Sequence, residues 1–269
     1  MLDPYDVCAF ETRIAARLRD AANRTERVKL YNEVYDELFL AFPDLLHSAN
    51  PDPRRFGYDL VFAKRFVTPD SVVVEIGSGQ CELALALAPN CKCIYAVDVT
   101  DLSPKESPAN FRHVLTDGIA IALPDNSVDV VISNQLMEHL HSDDAADQVK
   151  EVYRVLKPGG SYICITPNRL IGPHDSSVLS EPACPIVDGA FVANGLHLKE
   201  YTHLELHQLF RATGFRRTRH FAGARGRYVE LPLLGMTFGE RCVRYIPAKL
   251  RIRSSILRVL LGARVVAEK

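Results

Sequence analysis

The sequence predicts an α/β fold in which helices cover both faces of a mostly parallel sheet, and three observations predict it. The first is the run Val72–Ile76 (Val-Val-Val-Glu-Ile). It is β-branched and almost wholly apolar, as a strand buried on both faces should be. The second is Gly77-Ser78-Gly79, which follows at once and is followed in turn by the helix-forming stretch 83–88 (Leu-Ala-Leu-Ala-Leu-Ala). Paired glycines there mark a tight turn where backbone approaches something closely. The third is a second apolar strand, 94–97, that ends on an acid, Asp98. Strand, glycine turn, helix, strand, acid is the front half of a nucleoside-binding unit.

The residues around the turn narrow the nucleoside. A dinucleotide fingerprint has a third glycine, G-x-G-x-x-G, for close packing of helix and strand. Glu82 stands at that place, and Glu75 puts a carboxylate just before the turn, where a phosphate would be repelled. A ligand with a cationic end fits better, and S-adenosylmethionine (SAM) carries both an ammonium and a sulfonium. Asp98 would accept hydrogen bonds from the ribose hydroxyls. The plainer alternative is a parallel core whose glycines only turn the chain.

Composition bounds the class. A chain of 269 residues carries one large domain, or one with a helical extension. The formal net charge of -1 hides an asymmetry, because residues 211–269 hold fourteen Lys or Arg against three Glu. Such a stretch suits an anionic substrate, a membrane surface, a basic dimer face or a solvated face. Seven scattered cysteines do not form a disulfide scaffold, and Cys91-x-Cys93 has no companion pair for zinc. Reduced thiols in a cytoplasm fit them best. Residues 1–20 lack the apolar core of a signal peptide. No run of about 18 apolar residues exists, so no transmembrane segment is expected.

In chain order, residues 9–42 repeat apolar positions at helical steps (Ile14, Leu18, Val28, Tyr31, Val34, Leu38, Phe42) until the prolines 43, 51 and 53. A helix over 54–66 completes an N-terminal helical cap of residues 1–68, with Phe10, Tyr31, Tyr35 and Phe39 as pocket or core. Residues 112–116 read as a strand ending in Asp117-Gly118. Asp117 suits the adenine amine or, equally, an ordinary turn. Residues 128–133 form the next buried strand and deliver Asn134, Gln135 and His139 to the carboxyl end, where such sheets hold ligands. Ser142 caps a helix to residue 156, Lys157-Pro-Gly-Gly ends it, and 161–166 is another strand.

By this point the residues Glu75-Ile-Gly-Ser-Gly79, Val97-Asp98, Asp117-Gly118, Leu123-Pro-Asp-Asn-Ser-Val-Asp129, Glu138-His139 and Arg154-Val-Leu-Lys-Pro-Gly-Gly160 stand in unbroken order. This set resembles a class I SAM-dependent methyltransferase, in the style of the quinone-biosynthesis and small-molecule subgroup. The resemblance covers roughly residues 70–168. It implies a Rossmann-like three-layer sandwich with a seven-stranded sheet whose last strand is antiparallel. It also implies that Glu75, Gly77, Gly79, Asp98, Asp117, Gly118 and Asn134 hold the cofactor, with Ser78, Val99, Gln135 and His139 beside them. Gln80 and Cys81 depart from the usual small or acidic residues, which affects only fine contacts.

After the core, residues 169–196 form a loop-like insertion that should cover the acceptor site. The segment Gly195-Leu-His197-Leu-Lys-Glu200-Tyr201-Thr202 resembles one in small-molecule and glycan-modifying methyltransferases. Thr202 and Glu205 make a capping box. Residues 215–221 and 227–231 read as strands, and 239–266 as helix. The expected units are therefore the cap, a SAM-binding domain over 69–235, and a basic, helical C-terminal extension over 236–269.

Methyl transfer from a sulfonium is an in-line displacement that needs alignment and, for a hydroxyl acceptor, a base. His139, His174 and His197 are the candidates, against roles in packing, in a solvated loop and in orienting Glu200 or Tyr201. His203 and His207, four apart on a helix, have metal-ligand spacing but no third ligand, so no metal is expected. The expected acceptor is a small molecule or a glycan- or lipid-linked intermediate, methylated at oxygen. The expected partners include no nucleic acid, peripheral membrane contact through the basic C-terminus, and a homodimer. Two rivals are a non-catalytic SAM- or nucleoside-binding module and a nucleic-acid methyltransferase. The second rival lacks its Asn/Asp-Pro-Pro-Tyr/Phe element, since Asn134-Gln-Leu-Met stands there.

Overall fold

The fold is that of a computed structural model, which describes residues 4–43, 57–171, 186–187, 190–193, 195–224 and 226–269. Five parallel strands form its first half: β1 (Val72–Ile76), β2 (Cys93–Asp98), β3 (Phe111–Leu115), β4 (Val128–Asn134) and β5 (Leu156–Thr166). A two-residue pair, β6 (Ile186–Val187) with β7 (Ala190–Phe191), stands apart. The sheet is completed by β8 (Arg217–Ala224), β9 (Arg227–Leu231) and β10 (Ala263–Glu268). Its order is β3-β2-β1-β4-β5-β10-β8-β9. The strand latest in the chain thus lies inside the sheet, antiparallel to both β5 and β8.

Helices line both faces. On one side lie α1 (Pro4–Asp20), α2 (Arg24–Ala41), α5 (Ser142–Val155) and α6 (His203–Thr213), whose Ile14, Leu18, Val34, Val149, Val152 and Phe210 pack on Val74, Val131 and Val265. On the other lie α3 (Gly57–Ala63) and α4 (Glu82–Leu87), whose Phe62, Leu83 and Leu87 pack on Val73, Val130 and Val266. Neighbouring residues of β1, β4 and β10 enter opposite cores, the period-two signature of a strand buried on both faces. A third group, α7 (Leu233–Val243), α8 (Ala248–Arg253) and α9 (Ser255–Leu261), closes over Leu170 and Ile171 just past β5.

Several sequence expectations change in the structure. Among the described residues the sheet has eight strands rather than seven: 227–231 pairs with β8 at the edge as a strand, as read, and the additional strand is β10, inside the stretch read as helix. The C-terminal stretch read as helix is three short helices and then β10. The helix α5 ends at Val155, just before residues 157–160 as read, but these residues lie within β5, where a register shift between Val128 and Val130 absorbs them. The 9–42 helix is two helices, broken where the Asn23 side chain caps the Glu26 N–H at 3.1 Å. His141, not Ser142, caps α5, its Nδ1 accepting from the Asp143 N–H at 3.3 Å. The capping box of Thr202 and Glu205 forms, and Gly214 at φ 116° closes α6. No helix among the described residues is long and apolar enough to cross a membrane.

The cap is fastened by charge. Arg27 Nε and Nη2 donate to Asp144 at 2.6 and 2.7 Å, and the Tyr31 hydroxyl donates to Asp144 Oδ2 at 2.9 Å. Arg27, Tyr31 and Asp144 are all buried, which fixes α2 against α5.

Candidate active site

A cavity of about 360 Å³ opens at the carboxyl ends of β1, β2 and β4, under α2. Its floor is the glycine turn. Gly77 and Gly79 have φ of +67° and +49°, which other residues adopt at a cost. A Cβ on Gly77 would lie 2.6 Å from Leu136 Cδ1. Asp98 braces the turn: its Oδ2 accepts from the Gly79 N–H at 2.7 Å and its Oδ1 from the Thr100 N–H at 3.1 Å.

Four side chains in the wall, Glu75, Glu82, Asn134 and Gln148, carry a buried polar atom without a partner among the described residues. Glu75 Oε2, Asn134 Nδ2 and Asn134 Oδ1 have no hydrogen-bond partner among the described residues. Burial pushes the Glu75 carboxyl up to about 8; Asp98 and Glu82 act in the same direction, and a hydrogen bond from the Ala84 N–H opposes them. Such groups await a polar or cationic ligand. The donor chemistry and the open turn fit an adenosine derivative with a positive end.

Of the cofactor residues expected from sequence, Glu75, Gly77, Ser78, Gly79, Asp98, Val99, Gly118, Asn134, Gln135 and His139 all line this cavity. Asp117 does not. Its Oδ1 accepts from the N–H groups of Ile119 and Ala120 at 2.9 and 2.7 Å, so it shapes the turn that presents Gly118. Gln148, unremarked in the sequence, also lines the wall and donates to the Gly118 carbonyl at 2.8 Å. Tyr31, Tyr35 and Phe39 of the cap form the opposite wall.

The three candidate histidines divide. His139 lines the cavity, and its Nδ1 donates to the Leu196 carbonyl at 3.3 Å. His197 lies behind it, with ring centroids 4.8 Å apart. His197 Nδ1 pairs with Glu200 Oε1 at 2.7 Å, both side chains buried. His174 lies outside the described residues. Behind the pair sits Glu138, fully buried, whose Oε2 accepts from the Thr166 hydroxyl at 2.8 Å. Burial raises Glu138 to about 7, and His197 works against that rise. The sequence displayed Glu138-His139 and His197-x-x-Glu200, but nothing in their spacing said that the two pairs meet.

Glu138, His139 and His197 each offer a ligand atom within 4.8 Å of the others, a donor set able to hold a metal ion. The histidines first weighed for metal behave differently. His203 Nδ1 lies 3.0 Å from His220 Nδ1, and His207 Nδ1 lies 2.6 Å from the Thr218 hydroxyl. Burial pushes His203 down to about 3 and His220 down to about 4, which keeps both neutral in the core.

Comparison with known proteins agrees with this geometry. Residues 74–164 match the family described as methyltransferase domain. A "Probable S-adenosylmethionine-dependent methyltransferase" of Mycolicibacterium smegmatis is 31% identical over 147 residues, 53% of this chain and 51% of the relative. The chain thus spans about half the length of that curated relative. Among solved structures, a 1,6-didemethyltoxoflavin-N1-methyltransferase of Burkholderia thailandensis, with bound 1,6-didemethyltoxoflavin and S-adenosylhomocysteine, is 16% identical. It covers 93% of this chain and 91% of its own, with a TM-score of 0.55. A SAM-dependent methyltransferase of Archaeoglobus fulgidus is 19% identical, covering 87% and 99%, with a TM-score of 0.52.

Proposed function

We propose that this chain, whose residues 74–164 match the family described as methyltransferase domain, is a class I SAM-dependent methyltransferase that transfers methyl to the oxygen of a small-molecule or glycan- or lipid-linked acceptor. The single observation that carries the reading is the cavity itself. It joins a glycine turn flanked by the incompletely bonded Glu75 and Asn134 to a histidine, His139, on the same wall.

SAM, when bound, supplies an electrophilic methyl with a neutral thioether as leaving group. The chain's residues do the rest. Glu75, the turn 77–79, Asp98, Val99, Gly118, Asn134 and Gln135 would hold it. Holding donor and acceptor in line removes on the order of 7–11 kcal/mol of barrier. His139 would take the acceptor's proton. With Nδ1 donating to the Leu196 carbonyl, Nε2 is the basic atom of the neutral ring. His197, held by Glu200, packs edge-on behind the His139 ring and positions it. Tyr31, Tyr35 and Phe39 exclude water from the acceptor side.

A second reading comes from the donor set Glu138, His139 and His197: a divalent cation held there would activate the acceptor instead of a histidine base. The two readings exclude each other, since a metal-bound His139 cannot accept a proton. Turnover of a panel of phenol and alcohol acceptors, with and without EDTA, separates them. Chelator-insensitive turnover favours the base. Loss on chelation with recovery on added magnesium or zinc favours the cation. SAM binding without turnover of any acceptor would favour the non-catalytic module. The free cysteines Cys81, Cys91, Cys93, Cys164 and Cys242 support a reducing compartment such as the cytoplasm.

A further inference from the structure

We propose that the outer face of α7–α9 docks the protein on an anionic lipid surface. The inference does not rest on methyl transfer. Helix α7 is apolar on two opposite sides. Met236 and Val243 face the core, while Leu234 and Phe238 point outward, 83% and 69% exposed. Tyr245, just past the helix, continues the outward stripe at 90% exposed. Helix α9 repeats the pattern, with Leu261 inward and Ile256 and Leu260, four residues apart, exposed. Leu250 of α8 is exposed as well. Isolated apolar side chains on a surface need no explanation, but consecutive helices that each carry an outward stripe do.

Charge decides the occupant. Residues 232–262 contain Arg241, Arg244, Lys249, Arg251, Arg253 and Arg258, and Glu240 as their one acid. Glu240 is buried, where its Oε1 accepts from the His203 N–H at 2.8 Å and from Asn168 Nδ2 at 2.9 Å. The outward face therefore mixes apolar groups with exposed Arg241 and Arg244 and presents no carboxylate of its own segment. A second copy meeting this face about a two-fold axis would set arginine against arginine. An anionic bilayer answers both chemistries, because aromatic and aliphatic groups enter the interfacial layer while arginines reach the headgroups. The helices lie on such a surface rather than across it. They are anchored through Leu170, Ile171 and Asn168 at the carboxyl end of β5. That is the edge of the sheet on which the cavity opens, so a lipid-borne acceptor would arrive on the correct side.

The chain has no tryptophan, so Phe238→Trp installs a single indole reporter on the face. The 269-residue variant is titrated with vesicles of phosphatidylcholine alone and with about one third phosphatidylglycerol. The expected result is a blue shift and co-sedimentation with the anionic vesicles only, both lost at high salt. Adding Arg241→Ala and Arg244→Ala should weaken partitioning by roughly 25-fold, about fivefold per arginine. Circular dichroism and SAM titration should be unchanged in both variants. The proposal is overturned by partitioning that is absent or equal on the two vesicles. It is also overturned if the indole is already shielded in lipid-free buffer by concentration-dependent self-association in sedimentation, which would assign the face to a second copy.

Discussion

His197 and Glu200 pair at 2.7 Å in the interior, and the His197 ring meets His139 edge-on, so the histidine that faces the cavity is backed by a buried acid–imidazole couple. If His139 is the base, His139→Ala should lower kcat by roughly 10²–10⁴-fold, with SAM affinity nearly unchanged. His197→Ala should lower kcat less. Calorimetry with SAM and steady-state turnover on the same preparations check this, and normal turnover by both variants would sink the histidine base.

Glu138 supplies a pH signature. Burial holds its carboxyl at about 7. Above that pH its ionised form favours proton uptake by the neighbouring imidazoles. Turnover should therefore climb between roughly pH 6 and 8, and Glu138→Gln should flatten that rise. A pH–rate profile of both proteins reads the difference.

Glu75 makes the opposite demand on the ligand-free fold. Its pKa of about 8 exceeds the roughly 4.3 of an unfolded glutamate, so the folded chain binds this proton more tightly. Its contribution to stability is fullest below the lower value and falls as pH rises through the upper one. Glu75→Gln should accordingly raise the melting temperature at pH 8 more than at pH 5. A cationic ligand beside Glu75 favours its ionised form, so SAM binding at pH 7 should release protons. Calorimetry in two buffers of different ionisation enthalpy measures that release, and a value of zero would remove Glu75 from the contact.

The couple of Arg27 and Asp144 holds the wall of the cavity. Asp144→Ala leaves a buried guanidinium without its anion and should cost about 3–5 kcal/mol in urea unfolding. Because Tyr31 loses its acceptor as well, SAM affinity should drop with stability. The joint change Arg27→Met with Asp144→Leu should restore much of the stability.

Removing residues 263–269 should abolish folding rather than trim a tail. Those residues fill six paired positions on β5 and five on β8. Loss of cooperative thermal unfolding in the shortened chain is the expected readout, whereas a native-like transition would contradict the topology.

The glycine turn and its flanking strands were legible because a doubly buried parallel strand is a continuous β-branched run, and because Gly77 and Gly79 occupy backbone space that glycine takes freely. The strand 263–268 was not. Only Gly262 separates it from the stretch 256–261, and short apolar runs do not separate period 2 from period 3.6. Its two partners, β5 and β8, decide its conformation from far away in the chain. The candidate site divides the same way. Glu75, Asp98 and Asn134 follow from strand ends, whereas Glu138 and His197 acquire their relation only when the 195–202 segment folds back. There the Leu198 N–H donates to the Glu138 carbonyl at 2.6 Å. For Asp117 the sequence left a turn and an adenine contact equally open, and its Oδ1 serves the turn.

Strand β10 also imposes a timetable on biosynthesis. A ribosome delivers β1 to β5 early, but the β8–β9 hairpin joins them only through β10, which is translated after every other described strand of the sheet. Until then the border of β5 stands open, a ready template for a neighbouring nascent chain. Slower translation prolongs that exposure, so yield in a cell should depend on chaperone cover during the interval more than on the stability of the finished molecule.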